Sequence, residues 1–101
     1  MKENLSNLII LVEKIKDLVN QPGTTTPLWI HYDSKEEVIG ELESHIMLLH
    51  KEDFSILKEL TLLFAPTSDL QELSISNGWG NQFLEIAEEF DEIIKEIKDE
   101  I

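Results

Sequence analysis

The 101-residue sequence predicts an all-α protein, a single-domain bundle of four main helices over residues 1–101. Two observations carry this. Leu5, Leu8, Val12, Ile15 and Val19, then Phe83, Ile86, Ala87, Phe90, Ile93, Ile94 and Ile97, recur at the three-to-four spacing that lines up one helix face. Ser34 with Glu37, and Ser68 with Gln71, hold the spacing of a helix capping box. A chain of this length buries roughly 60–70% of its unfolded surface, enough for a core without covalent staples.

The first helix is expected over 3–20, with Ile9, Ile10 and Leu11 widening its apolar face and making it central. Asn20, Gln21, Pro22 and Gly23 stop it, since proline lacks a donor and glycine tolerates the turn. Residues 24–33 are irregular but carry Leu28, Trp29, Ile30 and Tyr32, too apolar for a loose linker, so the segment is expected to lie across the bundle. A short strand is an alternative there, with no clear pairing partner. The second helix opens after Ser34 and buries Val38, Leu42, Ile46 and Leu49, with Ile39 at the flank.

Lys51, Glu52 and Asp53 then interrupt the pattern. Asp53 caps a third helix through Ile56, Leu57, Leu60, Leu63 and Phe64; one bent helix is the alternative, because no Gly or Pro separates the two. After Pro66 a short helix is expected from Asp69 to about Leu73. An irregular loop follows, with Asn77-Gly78 as a positive-φ turn and Trp79 and Gly80 completing it. The last helix spans about 81–100, its apolar stripe opposed by Glu85, Glu89, Glu92, Glu96 and Asp99.

Composition narrows the function. Twenty-one acids oppose eight basic residues, all lysine, for a net charge of −13. Such a charge repels phosphate backbones and anionic lipid, so neither nucleic-acid nor membrane binding is expected. Without arginine the bidentate clamp for phosphate or carboxylate ligands is missing. The absence of cysteine excludes disulfides, thiolate metal sites and thiol catalysis, and suits a cytoplasmic location. No signal peptide or membrane span is expected, the longest apolar run near the start being Leu8–Val12.

Chemistry-bearing constellations are sparse. His31, His45 and His50 are the three histidines. Glu37, Glu41 and His45 share a helix face, but one carboxylate–histidine pair falls short of the three or four ligands zinc needs. The Glu-x-x-His of di-iron bundles is missing, since Leu42 and Met47 stand three residues before His45 and His50. Glu41–His45 reads as an ordinary surface contact. Ser44 beside His45 is no dyad, because helix neighbours face different ways, and Ser74 and Ser76 lack a nucleophile elbow. Gly78-Trp79-Gly80 lacks the further Gly or Lys of a phosphate cradle. Ser68-Asp69-Leu70 reverses the Asp-Ser-Leu of acyl carriers and is explained by the cap. The expectation is therefore a protein that is not an enzyme and uses no cofactor or metal.

Two features favour a partner-binding surface. Glu85→Glu89 and Glu92→Glu96 are like-charge pairs one turn apart, each destabilising by about 0.2–0.5 kcal/mol, whereas only Asp91→Lys95 is oriented favourably. A helix serving stability alone would mix lysine into that face. Trp29 with Tyr32, and Trp79 between two glycines, stand outside the strong helices and are candidate binding anchors, the loop glycines presenting Trp79. The candidate partner-binding residues are thus Trp79, Glu85, Glu89, Glu92, Glu96, Trp29 and Tyr32.

In size, charge, lack of cysteine and helical pattern, rather than in any aligned motif, the chain resembles small acidic bacterial immunity proteins, the helical inhibitors of nuclease toxins. The resemblance implies a steric and electrostatic mechanism, in which carboxylates cover a basic cleft of the toxin and an aromatic side chain anchors the contact. The alternative is a homo-oligomeric structural or adaptor protein without catalysis, motivated by the apolar Leu8–Val12 stretch and third helix.

Overall fold

The computed structural model describes residues 2–66 and 68–100, and within them the chain is all-α. The helices are α1 (Lys2–Val19), α2 (Lys35–His50), α3 (Leu57–Leu63), α4 (Asp69–Ser76) and α5 (Gly80–Glu100), with a 3-10 turn at Phe54–Ile56 leading into α3. No strand occurs among the described residues, so 24–33 takes the irregular form.

Helix α1 is central, as its wide apolar face requires. Leu8, Val12, Ile15 and Val19 are wholly buried, and both long neighbours run antiparallel to it. The Lys35 ammonium at the start of α2 donates to the Gln21 carbonyl just past the end of α1 (3.3 Å). At the opposite end, Asn4 of α1 donates to Glu100 of α5 (2.8 Å). On α2 the expected face of Val38, Leu42, Ile46 and Leu49 is buried. Phe64, just past α3, stacks on Phe90 of α5 (ring centroids 4.1 Å, planes 6° apart) and more distantly on Phe83 (6.1 Å, 13°). Each such aromatic pair adds about 0.5–1.5 kcal/mol to the burial it shares.

Local chemistry sets the element ends. The Ser34 hydroxyl accepts the Glu37 N–H, and the Glu37 carboxylate reaches back to the Asp33 N–H (3.1 Å), one residue before the reciprocal bond of a capping box. Helices α2 and α3 are separate because Glu52 sits in the left-handed region (φ 58°), which ends a helix as glycine usually does. Asp53 then accepts from the Ser55 N–H and hydroxyl to open the 3-10 turn.

Two expectations near residue 78 are corrected. Helix α4 continues past Leu73 to Ser76, because Ser74 is buried and its hydroxyl bonds the Gln71 carbonyl (2.6 Å) instead of disrupting the helix. The only residue left for the turn's positive φ is Gly78 (φ 84°), and α5 begins at Gly80. Gly80 is therefore helical, not part of a loop, and its carbon lies so close to Ile75 that an added Cβ would sit 3.3 Å from that side chain.

Candidate functional site: an acidic exterior and an apolar turn

The expected site residues divide sharply. Glu85, Glu89, Glu92 and Glu96 are all exposed on α5, opposite buried Phe83, Ala87, Phe90, Ile94 and Ile97. None of the four makes a hydrogen bond or ion pair with another described residue. Glu85 and Glu89 border a shallow groove between α1 and α5 that also touches Lys14 and Leu18. From Lys14 to Lys98 no lysine lies within ion-pair distance of a described carboxylate. Between Lys58 and Lys95 the chain carries eight carboxylates and no lysine. The negative charge is thus displayed, not neutralised internally.

Trp79 is not presented to solvent as a candidate anchor would be. It is only 3% exposed, held between α4 and α5 by its N–H on the Ser74 carbonyl (2.9 Å) and its carbonyl on the Phe83 N–H (3.0 Å). The positive φ of Gly78 precedes it, and its indole N–H meets no acceptor among the described residues. A signal for this was present: Trp79 lies four residues before Phe83 and extends the buried face of α5 by one turn.

Trp29 is 68% exposed and Leu28 entirely so. They occupy the two central positions of a turn closed by the Ile30 N–H on the Pro27 carbonyl (3.4 Å), while Ile30 itself is buried and pins the turn to the core. The segment from 25 to 31 runs antiparallel along α4 and is fastened to it at three places. Thr25 exchanges two hydrogen bonds with the Asn77 amide, the Trp29 indole donates to Glu72 (3.3 Å), and His31 meets Asp69 through its N–H (3.2 Å) and Nδ1 (2.8 Å). The segment packs on the helices through buried Ile30, as its apolar content leads one to expect, but it runs alongside α4 rather than across the bundle.

Tyr32 is half-buried and donates its hydroxyl to Glu41. Burial, then the bond to Glu41 and the charges of Glu41, Asp69 and Glu37, push the phenol well above its ordinary range. The other Glu41 oxygen faces His45 Nε2 at 3.6 Å, too far for a hydrogen bond. His45 is a second correction: it is 4% exposed, not a surface residue, and neither ring nitrogen is hydrogen-bonded among the described residues. Its place between Leu42 and Leu49 in the inner-face register marks it as interior.

Beside His31 opens a groove of about 510 Å³ whose walls include Glu41, Glu59 and Asp69 together with Leu62 and Leu63. Among the described residues no three His, Asp or Glu side chains converge closely enough to hold a metal ion. No helix there is long and apolar enough to cross a membrane. Comparison of the chain with protein-family models, with curated proteins and with solved structures gives no match.

Proposed function

We propose that this protein is an acidic interaction module that binds and blocks a basic protein partner in the cytoplasm, as an immunity protein blocks a nuclease toxin. The observation that supports it is the displayed charge: a net −13, with Glu85, Glu89, Glu92 and Glu96 exposed and no described carboxylate paired to any lysine from Lys14 to Lys98. Carboxylates left in water keep their full field, which draws in a basic surface and raises the association rate. In this reading Glu85, Glu89, Glu92 and Glu96 meet the partner's lysines and arginines, the mechanism is occlusion, and no bond in a substrate is made or broken.

The test is capture by the purified protein from source-cell lysate at low salt, followed by assay of the captured partner's own activity. A single basic partner, bound one to one, released by salt and silenced in the complex, is the expected result. Capture of further copies of this chain alone supports the rival reading, a homo-oligomer. That rival draws on Ile10 of α1 and Met47 of α2, both about half exposed. Sedimentation of the free protein separates the two, since the inhibitor reading needs no second copy before the target is met and the rival does.

A further inference from the structure

The exposed turn and the groove beside it form a surface that the acidic stripe of α5 does not explain. Leu28 and Trp29 are large apolar side chains held outward at a turn tip, and three fastenings to α4 with buried Ile30 leave the turn little freedom to fold them away. Ile75, one turn beyond Glu72 on α4, is also more than half exposed. Rigid, exposed aromatic and aliphatic groups are characteristic of binding anchors, because ordering them costs little on association.

Apart from His31, whose ring already meets Asp69 at the groove's edge, the charged groups beside this tip are carboxylates. The segments 24–34 and 59–79 contain Asp33, Glu59, Asp69 and Glu72 but no lysine. The adjoining groove is walled by Glu41, Glu59 and Asp69, with Leu62 standing exposed at its edge. Asp69 and Glu72 serve two ends at once, fastening the 25–31 segment and giving the apolar tip an anionic border.

We propose that this surface docks a basic segment of the partner in which a bulky apolar residue stands next to lysine or arginine. The apolar side chain packs on Leu28 and Trp29, and the cationic one enters the groove between Glu41, Glu59 and Asp69. An acidic or uncharged occupant would leave those carboxylates unmatched as it displaced their water. This rests on the basic-partner reading above and adds the place and chemistry of the anchor.

Three synthetic peptides of equal length are the probes: alternating Lys and Leu, alternating Lys and Ser, and alternating Glu and Leu. Binding is followed at low ionic strength by amide NMR shifts in the wild type and every variant, with tryptophan fluorescence of wild type and E59Q read against that of L28S/W29S, which retains Trp79 alone. The Lys–Leu peptide is expected to bind about tenfold more tightly than the Lys–Ser peptide, with L28S/W29S abolishing the difference and E59Q weakening both. Its shifts should gather at residues 25–33 and 59–76.

Lys–Leu shifts concentrated on α5 and indifferent to L28S/W29S would overturn the docking surface while leaving the basic-partner reading intact. Failure of both lysine peptides to bind would overturn that reading itself. Equal binding of the Glu–Leu peptide would show that the turn accepts apolar groups without regard to charge, against the proposal. Association of the free protein that L28S/W29S abolishes would assign the turn to a second copy of this chain, also against it.

Discussion

The protonation of Tyr32 is tied to folding. Its phenol is raised above the ordinary value by burial first and by the bond to Glu41 second, so the folded state holds that proton more strongly than the unfolded chain. The resulting stability is complete below the unfolded value of about 10 and is lost as pH rises from there through the folded value. The urea midpoint of the wild type should therefore fall more steeply above about pH 10 than that of Tyr32→Phe, which at neutral pH should be less stable by about 1 kcal/mol. As Tyr32 is the single tyrosine, tyrosinate absorbance reports its titration directly. An alkaline slope unchanged in Tyr32→Phe would show that folding does not raise the phenol, against both its burial and its bond to Glu41. Single residues also mark where sequence reading stopped short. The apolar periodicity locates Phe90 and Leu42; the residue types of Trp79 and His45 point to an anchor and a surface polar group, whereas their register with Phe83 and Leu49 places both inside. The outward aim of Trp29 depends on the Pro27–Ile30 turn and on contacts with α4 that lie about forty residues away in the chain, which no local pattern encodes.

Among the elements, the long helices were legible because each buries a full face against a central partner. The joints were less so. Nothing in Lys51-Glu52-Asp53 announces a left-handed residue, since a positive φ at glutamate costs about 1–2 kcal/mol and is accepted only where packing on both sides demands it. Helix α5 poses the sharper physical question, why an exposed face should carry repelling carboxylates. If stability alone governed it, Glu89→Lys would be an improvement. The substitution turns Glu85→Glu89 into an attractive pair one turn apart and adds another with Glu92, together worth about 0.5–1 kcal/mol. Thermal or urea denaturation should register that gain. Under the proposed function the same substitution slows association with the basic partner, so stability and binding move in opposite directions. A variant that is more stable and binds as well as the wild type would show that α5 faces water in the complex.

At the scale of the whole molecule, the decisive comparison is between its size and the reach of its charge. The protein measures 38 × 23 × 20 Å. The screening length is about 30 Å at 0.01 M salt and about 8 Å at 0.15 M. At the lower concentration every carboxylate therefore feels those on the far side; at the higher, only its near neighbours. With 21 acids, 8 lysines and no described carboxylate paired to any lysine from Lys14 to Lys98, the balance of these interactions is repulsive, and the folded state, being compact, suffers it more than the unfolded chain. Sodium chloride added from about 0.01 to 0.15 M should thus raise the urea midpoint, with most of the gain complete once the screening length is shorter than the molecule is thick. A protein held together by surface ion pairs would respond with the opposite sign, because screening weakens attraction as readily as repulsion. Over the same range the association rate with a basic partner should fall, since the field that strains the fold is the one that steers the encounter. A midpoint that declines with salt would mean the charges are arranged attractively after all, and would remove the ground for reading them as a surface kept for a partner.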